Sequence, residues 1–180
     1  MDSELAKQLI GMAEEDQRQL KRLFESGELP SEHYHPAMQS LHEKNVASLK
    51  SIIDKHGWPG ISLVGPDAAK AAWLITQHSV SNTQFMSDAA LLMSNAHAND
   101  DIEGWQLAFL EDRLQTLSGK DQIYGTQFDV DADGWPIPFP IADPEGVDKR
   151  RRALGLNTLE ERLQEMVSAE RRRREQESSS

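Results

Sequence analysis

A chain of 180 residues with 38% hydrophobic side chains, four Trp and five Phe has enough apolar material for a packed core, and its lack of cysteine removes disulfides, thiolate metal sites and a cysteine nucleophile. The formal net charge of −11 opposes a general affinity for phosphate backbones, and no run approaches the roughly 18 apolar residues of a membrane span. The start MDSELAKQLI is acidic and amphipathic where a secretory leader is basic and then apolar, so the expectation is a soluble cytoplasmic protein.

In chain order, Ser3 is placed to cap a first helix running to Glu25, with Leu5, Leu9, Met12, Leu20 and Phe24 near one stripe and Gly27 and Pro30 beyond its end. A second helix spans about Pro36 to Lys55, turns Met38, Leu41, Leu49, Ile52 and Ile53 inward, and stops at His56-Gly57. The stretch GWPGISLVGP is too rich in Gly and Pro for a helix and reads as a structured connector. Asp67 opens a short apolar helix, AAKAAWLITQH, and Asn82 caps another, TQFMSDAALLMSNAH. Asp100 or Asp101 starts a fifth, with Leu107, Leu110, Leu114 and Leu117 on one face before Gly119. Pro144 begins a helix to about Leu154, and Asn157-Thr158 caps the last. The sum is a mainly α single domain over residues 1–170, a bundle of six to seven helices with one β-hairpin at about 124–141, followed by a frayed Arg/Ser-rich tail at 171–180.

The hairpin contains Asp129-x-Asp131-x-Asp133-Gly134, which is the first half of a calcium loop. Its twelfth position, however, is Pro140 where a bidentate Glu is required. The flanks alternate instead: Tyr124, Thr126, Phe128 and Val130 share one face, and Trp135, Ile137, Phe139 and Ile141 follow after the turn. Pro136, Pro138 and Pro140 remove N–H groups from one edge of the second strand, which confines it to the border of a sheet. Asp131 to Gly134 therefore reads as a turn. Glu32-His33-Tyr34-His35 offers two imidazoles in a Pro-flanked loop without nameable further ligands, and it reads as surface. No metal and no cofactor is expected.

Between residues 49 and 156, Trp58-Pro59, Ser62 to Gly65, Ala71 to Ile75, Gln77-His78, Leu110 to Arg113, Gly119-Lys120, Gln122 with Tyr124 to Phe128, Pro138 and Asp143 to Asp148 with Arg150-Arg151 form a specific combination. It resembles a bacterial family of small proteins of unknown function, a resemblance that implies no activity.

The polar residues inside these motifs give a candidate site. His78 is the expected general base, since imidazole titrates nearest neutrality. Glu111 or Asp112 would orient it, Arg113 would hold an anionic part of a ligand, and Tyr124 with Gln127 would donate hydrogen bonds, all under the Trp58 connector and beside Gln77. The same residues also suit structural roles, as ion pairs and as a helix-capping histidine. Two functions follow. One is a cofactor-free enzyme, or a binder of an anionic small molecule or peptide, with catalytic His78, Glu111 and Tyr124 and ligand-binding Trp58, Gln77, Asp112, Arg113 and Gln127. The other is a helical module docking a protein partner in a regulatory or immunity-type role. From Asp100 to Asp148 there are twelve acidic residues against Arg113 and Lys120, so neither nucleic acid nor membrane is an expected partner.

Overall fold

The computed structural model describes residues 1–31 and 33–177. Glu32 of the His33/His35 loop and residues 178–180 of the tail lie outside the described residues. Among those described, eight helices and one two-stranded sheet give a mainly α protein. No helix is long and apolar enough to cross a membrane among the described residues. The chain divides into two compact units, Met1–Ile102 and Glu103–Ser180.

The first unit holds α1 (Ser3–Glu25), α2 (Pro36–His56), α3 (Ile61–Val64), α4 (Pro66–His78) and α5 (Thr83–His97). The cap of α1 is Asp2 rather than Ser3: its carboxylate accepts from the Leu5 N–H at 3.0 Å. Leu5, Leu9 and Leu23 are buried along α1, whereas Phe24 is 55% exposed, because one step past Leu23 carries it about 100° around the helix. His35 caps α2 through Nδ1, which accepts from the Ala37 N–H at 3.3 Å, and Pro36 occupies the first turn. At the centre, α4 packs against α1, α2, α3 and α5. Ala68, Ala69, Ala71 and Ala72 are all buried there, and such small side chains let neighbouring backbones approach closely.

The Gly/Pro connector is partly helical after all. The single turn α3 sits between Gly60 and Gly65 and is held from a distance: Asp101 accepts from the Ile61 N–H through its carbonyl at 2.8 Å and from the Ser62 N–H through its carboxylate at 2.6 Å. Those are donors that a short helix leaves unsatisfied.

The second unit holds α6 (Gly104–Leu117), β1 (Phe128–Val130), β2 (Pro136–Pro138), α7 (Val147–Ala153) and α8 (Leu159–Glu177). The cap of α6 is Glu103, which forms a capping box with Gln106, whereas the start was expected at Asp100 or Asp101. Leu107 and Leu110 are buried, while Leu117 at the end of the same helix is exposed. The strands pair antiparallel with Phe128 opposite Pro138, Asp129 opposite Ile137 and Val130 opposite Pro136. Asp131 closes the turn: its carboxylate accepts from the Asp133 N–H at 2.9 Å and the Trp135 N–H at 2.8 Å. Each strand is only three residues long, because residues 123–126 are drawn out of the ladder by side chains described below. The last helix continues through Arg171–Arg174 to Glu177, and Arg174 lies 4.1 Å from the Trp135 ring centroid while donating to the Asp133 carbonyl at 2.8 Å.

Candidate functional site

Three helices of the first unit each bring one polar residue to a common point. Asp16 lies on the buried stripe of α1, seven residues from both Leu9 and Leu23, so helical periodicity forces its carboxylate inward. His42 occupies the equivalent face of α2, with Met38, Asn45, Val46 and Leu49. His78 ends α4, just beyond buried Ile75.

Asp16 is 1% exposed. His78 Nδ1 stands 2.9 Å from its Oδ1 and 3.0 Å from its Oδ2, and His42 Nε2 stands 2.6 Å from Oδ2. One donor atom from each of the three residues lies within 4.8 Å of the other two. Burial by itself raises the Asp16 carboxyl, yet the hydrogen bonds and charges of His42 and His78 outweigh it and hold the group well below the usual carboxylate range. Tyr34, from the loop before α2, bonds its hydroxyl to His42 Nδ1 and donates more weakly to the His78 carbonyl at 3.4 Å. The two imidazole rings are tilted against each other with centroids 5.2 Å apart. The His78 side chain retains 22% of its exposure against 9% for His42, so the cluster is closed on one side and open on the other. A hollow of about 200 Å³ includes Glu43, next to His42 in the chain, and Ser81 and Asn82, just past His78. A larger apolar groove of about 460 Å³ is lined by Ile10, Ala13, Trp73 and Leu74 and contains none of the three clustered residues. Glu14, Gln17, Arg18, Asp67 and Lys70 also border that groove.

The sequence-derived residues fall into both units. His78, Gln77 and Trp58 belong to the first; Gln77 is buried, and the Trp58 indole Nε1 is buried without a hydrogen bond among the described residues. The carboxylate that orients His78 is Asp16.

Asp112, Glu111, Arg113, Tyr124 and Gln127 belong to the second unit. Asp112 is fully buried and organises the loop after α6. Its Oδ1 accepts from the Ile123 and Tyr124 N–H groups at 2.7 and 2.9 Å, and its Oδ2 accepts from the Thr126 N–H and hydroxyl, both at 2.9 Å. From α7, Arg151 takes the carbonyls of the same loop: Nη1 donates to Tyr124 at 2.7 Å and Gly125 at 3.1 Å. Arg113 Nε donates to Gln127 Oε1 at 3.1 Å, and Gln122 ties Gln127 to Phe139 through its side-chain amide. Glu111 bonds to the Tyr124 hydroxyl; burial, followed by the Asp112 charge, raises the Glu111 carboxyl against that bond, and burial next to Glu111 pushes the Tyr124 hydroxyl up to about 12.

Sequence reasoning missed Asp16 and set His42 aside, because it was weighed only with His56, which offers no acidic partner at helical spacing. Asp16 is a single polar residue on an otherwise apolar helical stripe, and His42 shares its otherwise apolar stripe only with Asn45; that was the available signal.

Fold and site define an acidic, mainly helical protein with a buried carboxylate shared by two imidazoles. The chain belongs to the family of unknown function DUF6624, whose model matches residues 3–171 and so includes the helix that carries Asp16. That span extends at both ends beyond residues 49–156, where the sequence motifs lie. No curated protein and no solved structure matches the chain.

Proposed function

We propose that this chain is a small-molecule enzyme whose reactive centre is Asp16, His42 and His78, and that the centre activates a water or a substrate hydroxyl. The supporting observation is the buried Asp16 carboxylate, contacted by imidazoles from two other helices, of which one keeps an open edge. A cluster serving only to staple helices gains nothing from an exposed imidazole edge, whereas a reacting group needs one. Tyr34 and Asp16 fix the two rings, and fixed orientation is what a group acting on a bound molecule requires. Glu111, Asp112, Arg113, Tyr124 and Gln127 serve in this reading as supports of the 122–127 loop, because each is engaged with that loop or with another of these residues. The proposal carries no requirement for an anionic substrate, since the Arg113 Nε–H is taken by Gln127.

The test is a panel of chromogenic esters, phosphomonoesters and amides, run on the wild type and on His78→Gln and Asp16→Asn, with thermal melts of all three. The expected result is turnover of at least one class that falls roughly 100-fold or more in His78→Gln while its melting temperature stays near wild type. A chain that neither binds nor turns over any panel member, and whose His78→Gln variant melts far lower, overturns the enzyme reading. The helical interaction module would then account better for the fold.

A further inference from the structure

One feature of the Asp16 cluster is unexplained by hydrogen bonding alone. His42 Nε2 is buried 2.6 Å from Asp16 Oδ2, in a contact whose alignment is poor for a hydrogen bond. At that separation an imidazole N–H ordinarily points at the oxygen. Here the alignment is poor, so the contact is closer than its hydrogen bonding alone accounts for. With His78 Nδ1 these atoms place one possible ligand from each of three residues within 4.8 Å of one another, the relation of ligands to one cation.

The remaining geometry agrees. Ligands about 2.1 Å from a shared ion sit roughly 3.0–3.4 Å apart for right-angle to tetrahedral arrangements. Asp16 stands 2.6 Å from His42 and 2.9 Å from His78, and all three ligand atoms lie within 4.8 Å of one another, so side-chain shifts of under about 1 Å accommodate the ion. Two imidazoles with one carboxylate form a donor set for a first-row divalent transition ion, whereas calcium and magnesium take oxygen. Three protein ligands with an open side is also the pattern of a catalytic rather than a structural site. Tyr34 completes the surroundings: bonded to His42 Nδ1, its oxygen can accept the proton there and so leave the Nε2 lone pair for the ion, as outer groups on metal-bound histidines do.

We propose that Asp16, His42 and His78 bind one divalent transition ion of the zinc type, with its open coordination positions toward the exposed edge of His78. This rests on the reading of the cluster as the reactive centre and names its cofactor: an ion held there supplies the water activation, and its charge compensates the buried carboxylate. It departs from the sequence expectation of no metal, which considered cysteines, the DxDxDG turn, the His33/His35 loop and His42 paired with His56, and did not consider ligands drawn from three separate helices.

The experiment strips the full chain with a chelator and titrates it with Co²⁺, followed by calorimetry and visible absorption, and then displaces the Co²⁺ with Zn²⁺. The expected result is one saturable Co²⁺ per chain with ligand-field bands. Affinity should fall about 100-fold or more in His42→Gln and His78→Gln and roughly 10–100-fold in Tyr34→Phe, and stay unchanged in His33→Ala. Circular dichroism identifies any variant that fails to fold, and Asp16→Asn is read only if it folds, since the two histidine variants carry the same result. A folded wild type with no saturable Co²⁺ binding overturns the proposal, as does binding that survives both histidine substitutions or is lost in His33→Ala. Turnover that persists in the chelator-stripped chain but is lost in His78→Gln overturns the metal and leaves the enzyme reading standing. Stoichiometric binding with the expected variant pattern, but no turnover, supports the metal and overturns the enzyme.

Discussion

Replacing Asp112 with Ala should destabilise the second unit more than any comparable acidic substitution there. The carboxylate is fully buried and accepts from four donors: the N–H groups of Ile123, Tyr124 and Thr126 and the Thr126 hydroxyl. Alanine removes all four acceptor contacts together. Ile123 and Tyr124 lie near enough to solvent for water to replace part of the loss, so the cost is dominated by the two donors of buried Thr126. An orphaned buried donor costs about 1–3 kcal/mol, which gives roughly 2–6 kcal/mol and a central expectation of about 4 kcal/mol. That is a large fraction of a native stability of about 5–15 kcal/mol. The assay is urea unfolding followed by tryptophan fluorescence, with Trp105 and Trp135 reporting on the second unit, accompanied by amide exchange at residues 123, 124 and 126. Asp131→Ala is the control, since its carboxylate also accepts two backbone N–H groups, but in an exposed turn. If Asp112→Ala costs no more than about 1 kcal/mol, or no more than Asp131→Ala, the reasoning about stranded donors is wrong.

The chain has two tyrosines, so Tyr34→Phe leaves Tyr124 as the sole phenol, and an alkaline absorbance titration of that variant should show ionisation near 12. Because this folded-state value lies above the unfolded value of about 10, the contribution of Tyr124 to stability is complete below about pH 10 and lost as pH rises toward 12; ionisation at the unfolded value in the folded protein would contradict the packing against Glu111. Gly60→Ala should lower the melting temperature, since a Cβ there would lie 2.8 Å from the Asp101 carbonyl that caps α3, and overpacking costs about 1–3 kcal/mol. Gly11→Ala, in open space within α1, should instead raise stability by about 0.5–1 kcal/mol, and unchanged melts for both glycine variants would refute these assignments. Arg174→Ala should shift Trp135 fluorescence and cost no more than about 1 kcal/mol, the range for a cation over an aromatic face near the surface; an unaltered spectrum would show the pair is not formed in solution.

The helices were legible where apolar periodicity is long, as along α2 with Met38, Leu49 and Ile52, and where punctuation is strong, as at Asn82, whose side chain caps α5 through the Phe85 N–H at 3.1 Å. The hairpin was legible from alternation and its prolines, but its length was not. Nothing local in YGTQF reveals that Asp112 and Arg151 claim the backbone groups a longer ladder would need. The helical turn α3 was missed for a related reason, since its cap, Asp101, lies in a distant part of the sequence. For the candidate centre, His78 stood out because it ends an apolar helix, while Asp16 was hidden in the charged run EEDQRQ. Its distinction from Glu14 and Glu15 is angular: only position 16 returns to the face of Leu9 and Leu23, and a composition reading does not register that.

The loop at residues 123–126 is gripped by its peptide groups. Asp112 takes three of its N–H groups from one side, and Arg151 takes two of its carbonyls from the other. Because both clamps act on atoms that every residue type supplies, the loop's shape is largely encoded outside the loop. Saturation mutagenesis should find Ile123 permissive and the two remote clamps intolerant. Within the loop, the exceptions would be Gly125, with its φ of +67°, and Thr126, whose hydroxyl joins the grip.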